Sequence, residues 1–120
     1  MRLLQLSLLV ALPAALVGCG GDRRSASPGP NEVVMTEYRF HPRDVTVKPG
    51  TELSVRNEGQ IAHDLTLEQP ASGRRLLGTN TFLSGDRGKL RVDLPPGRYK
   101  MVCTVPGHEQ RGMVGVLRVR

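Results

Sequence analysis

The chain has 120 residues, and its 17 Lys+Arg against 11 Asp+Glu give a formal net charge of +6, a size that sets one small domain as the expectation. The basic residues are scattered and the aromatics few (Tyr38, Tyr99, Phe40, Phe82), so there is no aromatic-interleaved basic stripe of the kind nucleic acid needs. No Ser-His-Asp set, phosphate-cradling glycine loop or HExxH pattern is present, so an enzyme finds no support.

The N-terminus reads as a targeting segment. Arg2 is a short basic start, and residues 3–17 are apolar apart from Gln5, Ser7 and Pro13. This is a secretory signal pattern, too short and interrupted for a comfortable membrane span. It ends in Leu16-Val17-Gly18-Cys19, which resembles a bacterial lipobox. The resemblance implies cleavage before Cys19 and lipid on the new N-terminal Cys19; the alternative is a plain signal peptide and a free Cys19. Each buried methylene contributes about 0.8 kcal/mol, and one acyl chain binds only marginally, so the two long chains of a diacylglyceryl group are what make the anchor stable. The expected location is outside the cytoplasmic membrane, tethered by lipid and facing the periplasm or cell exterior. Residues 20–30, Gly-Gly-Asp-Arg-Arg-Ser-Ala-Ser-Pro-Gly-Pro, have linker composition. As a flexible coil they average roughly 18 Å end to end. The expected division is a signal peptide over 1–18, a lipidated N-terminus and linker over 19–31, and a folded domain over 32–120.

Strand patterns begin at Glu32. Val34, Thr36, Tyr38 and Phe40 share one parity, which predicts a first strand over 32–40. A second strand over 44–48 carries Val45 and Val47, and Pro49-Gly50 turns the chain. A third over 51–57 turns Leu53 and Val55 inward. A fourth over 63–68 sets His63, Leu65 and Leu67 on the core side and Asp64, Thr66 and Glu68 on the other. Residues 69–89 are glycine-rich and predict one short strand among loops. Strands over 89–94, 98–103 and 113–120 follow, with Tyr99, Met101 and Cys103 on one face and Met113, Leu117 and Val119 on one parity. Short strands, Pro/Gly turns and no convincing helix predict an all-β sandwich.

The chemistry concentrates in Cys103-Thr104-Val105-Pro106-Gly107-His108-Glu109-Gln110-Arg111-Gly112-Met113. Four residues separate Cys103 from His108, and four more separate His108 from Met113. A thiolate, an imidazole and a thioether on one loop suit a soft or borderline metal, and copper best. Zinc prefers four strong ligands, and a thioether is a poor one. His63, after Asn57-Glu58-Gly59-Gln60-Ile61-Ala62, can supply a second imidazole. Two His and one Cys in a plane with a weak axial Met form a blue-copper electron-transfer set. Taken singly, Cys103 and Met113 also read as core residues and His108 as a surface histidine; only the constellation argues for metal.

Cys-x4-His-x4-Met ahead of a final strand, with an upstream His after an Asn-containing loop, resembles the single-domain cupredoxins, closest to the auracyanin and rusticyanin type within a plastocyanin-like group. The resemblance covers roughly residues 33–120. It implies a Greek-key β-sandwich of about seven to eight strands and one copper cycling between Cu(I) and Cu(II). His63, Cys103 and His108 become the strong ligands and Met113 the axial one. In plastocyanin-like relatives an Asn follows the first His and bonds a hydroxyl residue after the Cys. Here Asp64 stands in its place, and the resemblance implies that it bonds Thr104.

The remaining groups are assigned plainer roles. His41, between Phe40 and Pro42, is expected at the surface, and Met35 and Met101 in the core. The expected function is one-electron transfer between redox protein partners, with acidic partners suited to the basic charge, by a monomer held at the membrane through Cys19. Copper delivery or buffering with similar ligands is the alternative.

Overall fold

The computed structural model describes residues 27–120. The expected signal peptide and Cys19, with residues 20–26 of the expected linker, lie outside the described residues. Nine strands form: β1 Glu32–Thr36, β2 Arg39–His41, β3 Asp44–Val47, β4 Thr51–Asn57, β5 Thr66–Glu68, β6 Arg75–Gly78, β7 Arg87–Val92, β8 Gly97–Val102 and β9 Val114–Val119. They build two sheets, of order β2-β1-β4-β7 and β3-β9-β8-β5-β6. β1 runs parallel to β4 and β3 parallel to β9; every other pairing is antiparallel.

The period-two pattern explains how the sheets stack. Leu53 and Val55 on β4 and Leu90 and Val92 on β7 are buried from one side. Val45 and Val47 on β3, Tyr99 and Met101 on β8, and Leu117 and Val119 on β9 are buried from the other. Together they join a single apolar cluster. Each large side chain so buried contributes about 1.5–3 kcal/mol, which is what brings the two faces together. Gly115 lets β9 pass close to β3's approach: a Cβ there would meet the Arg43 carbonyl oxygen at 2.3 Å.

Three local expectations are corrected. The strand predicted over 32–40 is two strands joined by the turn Glu37–Tyr38, with Thr36 opposite Arg39. Tyr38 takes a left-handed φ of 59° and leaves the parity its neighbours share. The strand predicted from His63 starts at Thr66. His63 makes only an isolated bridge to Phe82, its N–H donating to the Phe82 carbonyl at 3.1 Å and its carbonyl accepting from Phe82 at 2.8 Å. The next two N–H groups leave the ladder for side chains: Asp64 donates to Cys103 Sγ at 3.5 Å and Leu65 to Thr79 Oγ1 at 3.1 Å. Asp64 and Thr66, expected on the outer face, are buried. The all-β sandwich stands, and the described residues form nine strands beside the seven to eight expected because the first strand splits.

Candidate metal centre

The two central strands of the second sheet deliver the ligand loop. β8 ends at Val102 opposite Val114 of β9, so Cys103 and Met113 leave the ladder side by side. The Cys103 N–H donates to the Met113 carbonyl at 3.2 Å, and the Met113 N–H to the His108 carbonyl at 3.1 Å. The main chain thus ties all three loop residues to one another. Gly107 and Gly112 turn the loop with φ of 85° and 92°, which a side chain resists. Lys100 on β8 anchors the loop from outside, pairing with Glu109 and lying 3.6 Å from Glu68.

The upstream histidine is brought in by Asn57, at the end of β4. Its side-chain N–H groups donate to the carbonyls of Ile61 at 2.8 Å and Phe82 at 2.9 Å, and its Oδ1 accepts from the Gly59 N–H at 2.9 Å. One buried amide therefore shapes the turn before His63 and fixes the segment that His63 bridges.

These elements converge on one point. His63 Nδ1 and His108 Nδ1 lie 3.1 Å apart, with Cys103 Sγ 3.5 Å from the latter and 4.0 Å from the former. His63 and Cys103 have no exposure, whereas His108 keeps 8%. Met113 is fully buried where β9 begins. Two like nitrogens and a sulfur facing each other in a dry site are poor partners for one another and good donors to one cation. Burial, then the neighbouring His108, holds the His63 imidazole below its ordinary pKa, so it stays neutral and able to ligate. Burial pushes the Cys103 thiol up. The donor set fits one copper ion, which His63, Cys103 and His108 would hold.

A second layer holds the first. Asp64 Oδ1 accepts from the Thr104 N–H at 2.9 Å, and Oδ2 from the Thr104 hydroxyl at 2.6 Å. Asp64 also accepts from the Thr66 hydroxyl at 3.3 Å. The residues that follow His63 and Cys103 are therefore bonded to each other, which fixes the spacing of the two segments. His41 stands apart, with its Nε2 2.9 Å from Thr36 Oγ1.

Two contributors escaped the sequence. Tyr38 meets His108 edge-on at 5.0 Å between ring centres and His63 at 6.5 Å, and the Arg111 guanidinium lies 4.8 Å over its ring. Holding Tyr38 at positive φ costs on the order of 1 kcal/mol or more, and these contacts offset it. Glu37 is the other. Its carboxylate accepts from the Gln60 N–H and from Ile61 at 3.4 Å, and this holds its pKa below the usual range. A Cβ on Gly59 would lie 2.6 Å from Glu37 Oε1 and 3.1 Å from His63 Nε2, so the two atoms flank one point. His63 Nε2 is buried without a hydrogen-bond partner among the described residues.

An all-β sandwich with a Cys/His/His cluster at one end of its sheets is the architecture of cupredoxins. The chain belongs to the cupredoxin-like domain family, which it matches over residues 8–116. It is 28% identical over 120 residues to the copper-resistant cuproprotein CopI of Rubrivivax gelatinosus, covering 86% of this chain and 73% of that one. Among solved structures it is similar to the reduced auracyanin of Roseiflexus castenholzii, with a TM-score of 0.64 and 19% identity over 74% of this chain and 94% of that one. It is also similar to the plastocyanin of Dryopteris crassirhizoma, with a TM-score of 0.60 and 22% identity over 74% and 99%. At these identities the structural likeness speaks for the fold.

Proposed function

We propose that this protein is a type 1 blue-copper protein that carries single electrons between redox partners outside the cytoplasmic membrane. The observation that carries the reading is the convergence of His63 Nδ1, His108 Nδ1 and Cys103 Sγ in a closed, buried site. A copper ion bound there would supply one-electron chemistry, and Met113 would offer it a further, weak thioether donor. The chain's own part is rigidity. The loop bonds among Cys103, His108 and Met113, and the Asp64–Thr104 tie, hold the donors in one arrangement for both charge states. His108 is the least buried of the three cluster residues, and its loop exposes uncharged Pro106, Gly107 and Gly112 beside the charged Glu109 and Arg111. A partner can approach that ring over the uncharged part of the loop, and weak redox encounters use small interfaces of this kind.

The lipobox-like run ending at Cys19 supports a lipid tether, which keeps the domain near membrane-bound partners. Cys19→Ala is expected to release the protein from membranes or stop its processing; unmodified Cys19 in soluble wild-type protein contradicts the tether.

Copper delivery or buffering is the second reading, favoured by the likeness to a protein named for copper resistance. Voltammetry with chelator competition separates the two. The electron carrier gives a reversible one-electron wave and keeps its copper against a chelator. Rapid copper loss in both oxidation states, with sluggish electron exchange, supports delivery instead.

A further inference from the structure

We propose that an arginine-lined groove beside the ligand cluster is the docking site for a carboxylate-rich redox partner, an inference that rests on the electron-transfer reading. The groove, about 480 Å³, opens where the β1–β2 turn meets the end of the ligand loop. Arg39, Arg43 and Arg111 line it, with His41 and Tyr38. None of the three guanidiniums makes an ion pair among the described residues, whereas Arg56, Lys89, Arg91, Lys100 and Arg118 each face a carboxylate.

The acids adjoining these segments in sequence face elsewhere, Asp44 lying 3.8 Å from Arg118. Glu37 turns its carboxylate to the N–H groups of Gln60 and Ile61, and Glu109 pairs with Lys100. No carboxylate lines the groove. Three like charges are thus gathered on one concave surface with no carboxylate paired to them among the described residues. Guanidiniums bind carboxylates through two parallel hydrogen bonds, which fixes orientation as well as sign.

Position argues for a redox partner over a lipid surface. Arg111 lies 4.8 Å over the Tyr38 ring, and Tyr38 meets His108 at 5.0 Å. A group docked in the groove therefore sits one aromatic ring from a ligand residue. That proximity serves a partner exchanging electrons and adds nothing to a lipid contact. The groove also adjoins the uncharged surface around Gly112, so acidic and apolar parts of one partner can be met together.

The test uses the full copper-loaded chain and the variant Arg39→Glu/Arg43→Glu/Arg111→Glu. Stopped-flow mixing of oxidised protein with ferrocyanide passes one electron, giving ferricyanide and reduced protein; hexaammineruthenium(II) is the cationic counterpart. At low salt the variant is expected to react about tenfold or more slowly with ferrocyanide and faster with the ruthenium complex, the differences shrinking as salt rises. Polyglutamate is expected to slow the wild-type reaction with ferrocyanide. In the zinc-loaded protein it is expected to shift the amide resonances of Arg39, Arg43 and Arg111. Equal rates for wild type and variant, or polyglutamate shifts elsewhere, overturn the proposal. So does binding to anionic phosphatidylglycerol vesicles that the variant loses while polyglutamate has no effect. If neither reagent exchanges an electron with wild type, the electron-transfer reading itself fails, and the polyglutamate shifts still report on the groove.

Discussion

Cys103 is buried deeply enough that its thiol stays protonated near neutral pH. Metal binding must therefore displace a proton from Sγ, and apparent affinity rises with pH. Met113 and Glu37 can each be tested for an effect on the site. Met113→Leu conserves volume, so stability should change by less than about 1.5 kcal/mol. It removes a donor that helps the oxidised ion, so voltammetry should show a higher potential with the colour kept; an unchanged potential means that Met113 is not axial. Glu37 lies beside the one ring nitrogen of His63 that faces away from the cluster. A carboxylate's charge makes a nearby imidazole more basic even without a hydrogen bond, though less than the bonded support whose loss costs about 10–100-fold in metal affinity. Glu37→Gln keeps an acceptor for Gln60 and removes only the charge. Competition titration is expected to show copper binding weakened by less than about tenfold, and unchanged affinity would leave Glu37 a loop tie alone.

At the scale of elements, the last strand is where substitution should be felt most. A Cβ at Gly115 would meet the Arg43 carbonyl at 2.3 Å and the Met101 methyl at 2.7 Å. The first is backbone and cannot rotate away. Gly115→Ala should destabilise by about 1–3 kcal/mol in urea melts, since overpacked cores cost that much; a neutral result would mean that β3 shifts freely against β9. The same strand shows what a sequence carries. β9 and β4 alternate cleanly, and their parity predicted which residues are buried; β8 follows its parity through Tyr99 and Met101 but buries Val102 as well. The loop motif likewise gathered Cys103, His108 and Met113 by spacing alone. The β1–β2 turn was hidden because Glu37 and Tyr38 are not turn residues and Tyr38 continues the apolar parity. Contacts made to distant segments, above all Asn57 with Phe82 and Tyr38 with His108, leave no local pattern to read.

For the molecule as a whole, metal and protons should act on stability in opposite ways. Copper that binds the folded state alone adds about 4 kcal/mol when free metal is a thousandfold above its dissociation constant. The loaded protein should melt well above the metal-free one, and coincident melts would place the ion outside the folded site. Without metal, His63 is held below its ordinary value of 6.5 in the fold. The unfolded chain takes up that proton first, so this contribution is complete above about pH 6.5 and is lost as pH falls toward the depressed folded value. The metal-free protein should therefore lose stability on acidification, and His63→Gln should flatten that part of the profile. An unchanged slope would assign the acid loss to other groups.

The claim on which the rest stands is that one copper ion is held by the Cys103 sulfur together with His63 and His108. The absorption spectrum of the purified copper-loaded protein tests it directly. The oxidised wild type should show an intense visible band from the copper–thiolate bond, bleached on reduction and absent from Cys103→Ser even where that variant still binds copper. A colourless Cu(II) complex of the wild type, or a band that survives in Cys103→Ser, would contradict it.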